Sequence, residues 1–201
     1  MSKKNHLKSS PKKKKRNTYT PYYSEEFRDV VKFIQNKLKK NVYLIGIRAM
    51  YERGVPAYRL TEDFDIHTPL TKEERDEIID YVRDHYKKAK HVWRKFGFGL
   101  DFYPIGRLHH MDVNIISPLI FDSSWEEEEV EINGVNIFLP PLEDLIILKV
   151  LSPRKKDQKD VGVALRLALK KINIDLLLRK AEKVRVEAKL KRLAKKYQVD
   201  I

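Results

Sequence analysis

Apolar residues recur at helical spacing after Ser24, a residue type that commonly stands just before the first turn of a helix. They predict a first helix whose apolar face is made of Phe27, Val30, Val31, Ile34 and Leu38. A short apolar run over residues 42–45 ends at Gly46 and predicts a buried strand. Residues 47–62 then predict a helical turn and a loop, and residues 63–67 alternate polar and apolar positions as a strand does.

The middle of the chain combines one further helix with several strand patterns. Thr71 and Glu74 have the spacing of a capping box, in which each side chain bonds to the backbone N–H of the other residue. They predict the start of a helix with an apolar face of Ile78, Ile79, Val82 and Tyr86. Residues 91–103 and 110–116 are rich in β-forming residues and predict strands.

A hairpin signal is followed by a change to helical spacing. Asn133-Gly134 stands between the short runs Glu129–Ile132 and Val135–Phe138, and this dipeptide favours the tight turns that join antiparallel strands. After Pro140-Pro141, apolar residues recur at helical spacing up to the C-terminus. The pattern therefore predicts an α+β protein in which a mixed α/β part precedes a helical part.

The 201 residues are enough for one ordinary domain with a small helical appendage, and 42% of them are hydrophobic. Cysteine is absent, which excludes disulfides, cysteine zinc sites and thiol nucleophiles. No apolar run approaches the ~18 residues of a membrane span, so we expect a cytoplasmic protein without membrane contact. The lack of cysteine and the many Lys and Glu residues are typical of a thermophile.

Positive charge is concentrated at the N-terminus. Residues 1–16 contain eight Lys or Arg residues and no acid, whereas the whole chain carries a formal net charge of +13. Such a segment cannot bury apolar surface, so we expect residues 1–20 to be a disordered basic tail. The tail could bind the phosphate backbone of RNA or could serve only solubility. We expect the α/β domain at residues 21–139 and the helical subdomain at residues 140–201.

Three acidic residues fall in or beside predicted strands. Asp63 and Asp65 are two positions apart, so on a strand their carboxylates point the same way, with Cα atoms ~6.6 Å apart. Asp112 lies inside an apolar run that predicts a buried strand, where a carboxylate requires a cation or hydrogen bonds. If the two strands are neighbours, the three acids could hold magnesium as phosphoryl-transfer sites do. Asp112 alone could equally be bonded to backbone at a strand end.

Several segments together resemble the polymerase-beta-like nucleotidyltransferase superfamily. They are residues 44–49 (LIGIRA), Gly54 and residues 59–65 (RLTEDFD). Residues 139–145 (LPPLEDL) and the charged residues that follow them resemble a later helical motif of the abortive-infection branch, whose members are toxins of type IV toxin–antitoxin systems. Those charged residues are Lys149, Arg154, Lys156, Asp157 and Asp160. The matches lie in the order of the family and span roughly residues 42–165.

The resemblance implies a nucleotidyltransferase fold, a small mixed β-sheet flanked by helices, with a C-terminal α-helical subdomain. It implies transfer of NMP from an NTP to a hydroxyl acceptor with Mg²⁺ or Mn²⁺, and RNA or a tRNA end is the acceptor that the basic tail favours. An antitoxin protein is an implied partner. Metal binding and catalysis fall to Asp63, Asp65 and Asp112. The residues implied in nucleotide binding are Gly46, Ile47, Arg48, Arg59, Thr61, Lys149, Asp157 and Asp160.

One departure from the family supports an alternative. Ile47 follows Gly46, whereas the family has a second small residue in this phosphate loop. Arg48 could compensate by its charge. Otherwise the chain is a catalytically inactive nucleotidyltransferase-fold module that binds nucleic acid or a partner.

Other residues admit plainer interpretations. His110 and Asp112 share a predicted strand face and could bind zinc, but too few ligands lie nearby in the sequence. His67 continues the face of the acids and is expected to be solvated. Lys156 and Asp160 are one turn apart and could belong only to a salt-bridged helix pair. Trp93 and the tyrosines are expected to pack in the core or at its edges, although Tyr22, Tyr23 and Tyr103 could stack bases.

Overall fold

The computed structural model describes residues 24–61, 63–94, 97–102, 109–114 and 116–201, without the side chain of residue 109. The predictions made for the basic tail and for Tyr22, Tyr23 and Tyr103 lie outside the described residues. Within the described ranges, no helix is long and apolar enough to cross a membrane.

The elements of the first part of the chain begin where their capping residues predict. The Ser24 side chain accepts a hydrogen bond from the backbone N–H of Phe27, and Thr71 and Glu74 form the complete capping box. The predicted apolar residues within both longer helices are buried, whereas Leu38 and Tyr86 lie just beyond the helix ends and are partly buried. These elements are α1 (Glu25–Asn36), β1 (Tyr43–Ile45), α2 (Gly46–Glu52), β2 (Phe64–His67) and α3 (Lys72–His85).

Five further strands follow and end in the predicted hairpin. They are β3 (Lys90–Arg94), β4 (Gly97–Phe102), β5 (His109–Asn114), β6 (Glu129–Ile132) and β7 (Val135–Phe138). At the hairpin turn Asn133 and Gly134 have φ angles of 54° and 74°, the left-handed backbone that a two-residue turn of type I′ requires. The Asn-Gly prediction is confirmed.

The remainder of the described chain is helical, as the change of period after Pro140-Pro141 predicts. Short 3-10 helices at Ser123–Glu126 and Leu169–Lys171 accompany the α-helices. Helix α4 contacts α2, α5 and α6, and α7 contacts α5 and α6, so the helical part packs on the sheet part mainly through α4. These helices are α4 (Leu142–Leu151), α5 (Lys155–Leu167), α6 (Ile174–Lys183) and α7 (Glu187–Lys196).

The strands form one seven-stranded mixed sheet in the order β3-β4-β5-β2-β1-β7-β6. Strand β2 is parallel to β5, β1 is parallel to β7, and the other neighbouring strands are antiparallel. The two parallel pairings join segments that are far apart in the chain. The predicted mixed sheet flanked by helices is confirmed.

The two faces of the sheet have different surroundings. On one face Phe64 stacks on Phe27 of α1, with ring centroids 3.9 Å apart, and Phe102 meets Tyr86 at the end of α3. The alternation of β2 sends Asp65 and His67 to the other face. One face is therefore the apolar core beneath α1 and α3, and the other carries the polar residues.

The prediction that His67 is solvated is wrong. Its side chain is buried, and ring nitrogen Nδ1 lies 2.9 Å from the carbonyl oxygen of Asn114. Its imidazole is within 5.8 Å, centroid to centroid, of the rings of Tyr43, Phe121 and Trp125. The segment around the 3-10 helix Ser123–Glu126 covers this end of the polar face, and burial lowers the pKa of His67.

Candidate active site

Two of the predicted acids are opposite each other on neighbouring strands. In the parallel pair β2–β5, Asp65 is in register with Asp112, and Phe64 with Met111. Paired residues on adjacent strands project to the same face, and the strands are ~4.8 Å apart. Asp63 is exposed and immediately precedes β2. The strand adjacency on which the prediction for Asp112 depends is therefore present.

The charge of Asp65 is held in an unfavourable environment. Burial raises the pKa of its carboxyl to about 6, and the neighbouring charges of Asp112 and Asp63 raise it further, whereas Lys149 and Arg154 act in the opposite direction. All four charged groups are therefore close enough to Asp65 to shift the pKa of its carboxyl. A divalent cation at Asp65 would relieve the repulsion among the carboxylates.

Gly46 allows Asp65 to approach the start of α2. Its φ angle is +73°, and a Cβ built on it would lie 2.2 Å from Asp65 Oδ2, so no other residue fits this position. The next residue, Ile47, belongs to the apolar core and is 2% exposed. Its bulky side chain is therefore directed into the core and does not obstruct the loop beside Asp65.

Arg48 does not reach the cleft. Its side chain is 1% exposed, and the guanidinium carbon lies 3.7 Å from the centre of the Phe64 ring, on the apolar face of the sheet. The structure therefore does not support the expectation that Arg48 contributes charge to a bound phosphate. Thr61 is part-exposed in the loop that leads to Asp63.

A cleft of ≈ 710 Å³ lies between the sheet and the helices α4 and α5. Its volume is in the range of sites for ligands the size of a nucleotide. Polar groups from both sides converge on it, and they include Asp65, Asn114, Lys149, Arg154 and Asp157. Its apolar walls come mainly from Ile116, Pro118, Ile120, Leu145, Leu148, Leu151 and Pro153. Gly46 also lines the cleft.

Lys149 is fixed by two acids of α5. Its Nζ lies 2.7 Å from Asp157 Oδ1 and 3.1 Å from Asp160 Oδ2, and both carboxylates are fully buried. Arg59 pairs with Asp160, with its amino nitrogen 3.1 Å from Oδ2. Asp157 and Asp160 therefore hold the ammonium group of Lys149 in position. Asp160 pairs with Arg59 and Lys149, so the network differs from the exposed Lys156–Asp160 pair that the spacing suggested.

Sequence reasoning missed further members of this network. The Tyr58 hydroxyl donates to Asp160, and Ser152 Oγ lies 2.6 Å from Asp157 Oδ2. Burial raises the pKa of Asp160, but the hydrogen bonds of Arg59 and Tyr58 and the charge of Lys149 outweigh it, so the pKa is lowered. Tyr58 stands next to Arg59 in the sequence, but nothing in the sequence indicates that both reach one carboxylate of α5.

Asp112 is contacted by His110, which shares its strand face as predicted, and by Arg94, which the sequence did not indicate as a partner. His110 Nε2 lies 2.9 Å from Asp112 Oδ1, and His110 Nδ1 lies 2.5 Å from Asp101 Oδ1 on β4. The hydrogen bond with Asp112 raises the pKa of His110 to about 9 despite burial, with Asp101 acting in the same direction. Arg94 Nε is 3.4 Å from Asp112 Oδ1. In turn His110 and Arg94 lower the pKa of Asp112, although its burial acts in the other direction.

The three acids are not arranged as a preformed metal cage. Among the described residues, no group of three His, Asp or Glu side chains is placed to hold a metal ion. Asp65 and Asp112 share one face in register, whereas Asp63 is exposed and one oxygen of Asp112 is engaged by His110. Two oxygen ligands and a repelled third acid nearby suit a hard cation such as Mg²⁺. The same finding leaves the zinc hypothesis for His110 and Asp112 without support.

Comparison with solved structures shows which known fold the chain has. A scan against protein-family models and a search of the curated proteins each found no match. Among solved structures, an antigenic nucleotidyltransferase-like protein from Paracoccidioides brasiliensis has a TM-score of 0.52 and 16% identity, with 90% of this chain and 96% of that chain covered. The antibiotic-resistance factor ANT(2″)-Ia has a TM-score of 0.51 and 15% identity, with 81% and 92% covered. This chain has the nucleotidyltransferase fold.

The nucleotidyltransferase fold is the one that the resemblance around Asp63 and Asp65 implies. At these identities the likeness concerns the fold. In this nucleotidyltransferase fold, the residues of the two resembling segments meet at one cleft, with Gly46 and Asp65 on the sheet side and Lys149 and Asp157 on the helical side. The resemblance to the abortive-infection branch stays a prediction.

Proposed function

We propose that the protein is a nucleotidyltransferase that transfers the NMP group of an NTP to a hydroxyl acceptor. The observation that carries the proposal is the in-register pair Asp65–Asp112 at a cleft whose opposite side presents Lys149. Acids for a cation and a lysine for phosphate are the parts that phosphoryl transfer requires. The burial of Ile47 in the core removes the main sequence argument for an inactive module.

Asp65 and Asp112, joined by Asp63, would hold Mg²⁺ or Mn²⁺. Such a cation would neutralise triphosphate charge and stabilise the transition state of phosphoryl transfer. The residues present fit it, because Asp65 carries a raised pKa in the company of two other carboxylates. The side chain of Asp63 is exposed and can turn toward the pair.

The chain's own residues divide the remaining roles. Lys149 and Arg154 bind the phosphates, and Asp157 and Asp160 keep the Lys149 ammonium in place. The acceptor hydroxyl attacks the α-phosphorus, its oxygen forms the new bond, and the bond to the bridging oxygen of the pyrophosphate breaks. Asp112 accepts the hydroxyl proton, and pyrophosphate leaves with the bonding electron pair. The apolar walls from Leu145 and Leu148 would bury the base.

RNA is the acceptor class that we propose. The eight cations of residues 1–16 favour a polyanion and would raise its local concentration whatever its sequence. A type IV antitoxin partner follows only from the family resemblance and is part of the proposal on that basis.

The proposal is tested by calorimetric titration of ATP, CTP, GTP and UTP into the full chain with Mg²⁺. We expect metal-dependent binding of at least one nucleotide, and we expect Asp63→Ala/Asp65→Ala to abolish it because the cation then lacks two ligands. The matched control is Asp80→Ala/Asp84→Ala, which removes two acids from the exposed side of α3.

Binding that persists in the control and disappears in the double variant supports the site. If the wild-type chain binds none of the four nucleotides, the enzyme proposal fails and the module that binds nucleic acid or a partner takes its place. Equal loss in both double variants would show that net charge, not the site, governs binding.

A further inference from the structure

The polar face of the sheet continues beyond Asp112, away from the nucleotide cleft. The paired residues form a row across four strands, Val92 on β3, Gly99 on β4, Asp112 on β5 and Asp65 on β2. Asp65 lines the cleft, whereas Asp112 stands between the cleft and the β3 edge. An acceptor whose hydroxyl reaches Asp112 without displacing the nucleotide therefore approaches over β4 and β3.

We propose that Arg94, on the edge strand β3, binds a phosphate group of the acceptor next to its reacting end, and that the acceptor is the 3′ end of an RNA strand. The inference rests on the proposed function and adds the surface that would recognise the acceptor. It assigns a binding role to β3, a strand that none of the family-like segments includes.

The edge strand is exposed and cationic. All five residues of β3 are exposed, and residues 87–94 contain four Lys or Arg residues and no acid. The side chain of Arg94 is 49% exposed although it contacts Asp112. A cationic acceptor would be repelled by this segment, whereas a phosphate-bearing strand would be attracted to it.

Between β3 and Asp112, the polar face of the sheet is formed by Gly99 of β4, which has no side chain. A Cβ at Gly99 would lie 2.8 Å from His110 Cε1 and 2.9 Å from Asp112 Oδ1, so a larger residue here would require these two side chains to move. The same virtual atom lies 3.4 Å from an Arg94 terminal nitrogen, which shows that the guanidinium extends over Gly99 toward Asp112. Glycine thus leaves a path along which Arg94 and the acceptor can both reach Asp112.

The present contact of Arg94 is weak enough to be exchanged. Its Nε–Oδ1 distance to Asp112 is 3.4 Å, longer than the 2.7–2.9 Å of a strong charge-assisted hydrogen bond. Half-exposed ion pairs contribute little to stability, and a guanidinium has five N–H donors. A phosphate, which accepts two parallel hydrogen bonds from arginine, would replace this contact readily. The guanidinium would then stand beside the acid that takes the hydroxyl proton.

The test compares Arg94→Ala and Arg94→Glu with Arg83→Ala in the full chain. Arg83 is a matched control because it is an exposed arginine of α3, 63% accessible, that pairs with Asp80, a neighbouring acid of its own helix. Binding of a short single-stranded RNA with a free 3′ hydroxyl is measured by fluorescence anisotropy over a series of salt concentrations. Nucleotide binding is measured in parallel by calorimetry.

We expect Arg94→Ala to weaken RNA binding about five- to tenfold and to lower the slope of log K against log salt by about 0.7, as loss of one phosphate contact requires. Arg94→Glu should weaken binding further, and Arg83→Ala should bind RNA as the wild type does. NTP affinity should be unchanged in Arg83→Ala, and in the two Arg94 variants it should fall less than RNA affinity does, because Asp65 and Lys149 are retained. Because the basic tail also binds RNA non-specifically, a 4-thiouridine at the RNA 3′ end should in addition cross-link to residues 87–94.

Wild-type RNA affinity in Arg94→Ala and Arg94→Glu, or cross-links confined to other segments, would overturn the inference while NTP binding stands. Absence of NTP binding in the wild type would instead overturn the proposed function. An equal loss of RNA affinity in Arg83→Ala would show that general charge accounts for binding, and would also overturn the role of Arg94.

Discussion

Asp65 illustrates at the scale of one residue how a binding site opposes stability. Its carboxyl has a pKa of about 6, above the ordinary 3.8, because it is buried beside other carboxylates. Between pH 4 and pH 6 the unfolded chain ionises Asp65 while the folded chain does not. Ionisation therefore destabilises the metal-free fold, and the whole effect is present above pH 6.

We therefore expect Asp65→Asn to stabilise the metal-free protein by about 1–3 kcal/mol at pH 8, since one pKa unit corresponds to about 1.4 kcal/mol. The gain should nearly vanish at pH 4, where Asp65 is protonated in the folded chain and about half protonated in the unfolded chain. Urea unfolding with a chelator at the two pH values measures it. If Asp65→Asn were less stable than the wild type at pH 8, the ionised carboxylate of Asp65 would not be destabilising the metal-free fold.

Several residue-level predictions came from alternation alone, and alternation shows which face a side chain joins but not what covers that face. The in-register placement of Asp65 and Asp112 meets the condition set by the sequence analysis, that the strands of the two acids be neighbours. The solvation predicted for His67 was wrong because Trp125, distant in the chain, closes over it. Arg48 is a similar case, since nothing local indicates that it stacks on Phe64.

At the scale of elements, the buried charges of α4 and α5 tie the helical part to the loop before β2. Asp160 accepts from Arg59 of that loop and pairs with Lys149 of α4. Removing a buried carboxylate leaves its cationic partners without compensation, which is more costly than losing an exposed pair.

Asp160→Ala should consequently lower the free energy of unfolding by about 3–5 kcal/mol at pH 7. Lys156→Ala, a change on the exposed side of the same helix, should alter it by no more than ~0.5 kcal/mol. Chemical denaturation of both variants decides the matter. If both variants lost similarly little free energy of unfolding, Asp160 would contribute no more to stability than a surface ion pair does.

The order of helices and strands was largely predictable, because each element has a local signal such as the box at Thr71 or the turn at Asn133-Gly134. The order of strands in the sheet was not. Parallel pairing of β1 with β7 joins residues 43 and 138, and no local pattern encodes which distant strand becomes the neighbour. The sequence could state only that Asp112 would complete the site if its strand lay beside β2.

At the scale of the whole molecule, positive charge is concentrated in the N-terminal segment, apart from the acids of the candidate site. The eight Lys or Arg residues of positions 1–16 account for much of the net charge of +13. Long-range attraction of this kind depends on salt and does not depend on base sequence. Recognition near Asp112 and attraction by the tail should therefore be separable.

Deletion of residues 1–16 should weaken RNA binding at low salt and reduce the slope of log K against log salt by up to about 6, from about 0.7 for each of eight charges. Nucleotide affinity should not change, because the acids and Lys149 are retained. Anisotropy and calorimetry on the truncated chain measure both quantities. An unchanged slope would assign the tail to solubility.

The parallel register of β2 with β5 also determines when the site can exist during folding. His67 and Asn114, at the end of that pairing, are 47 positions apart in the chain. A loop of that length must close before Asp65 and Asp112 meet, and parallel long-range pairing is slow relative to helix or hairpin formation. A slip of one residue would also turn Asp112 to the apolar face. The proposed cation site would therefore form only with the completed sheet, and early folding intermediates would not bind the metal.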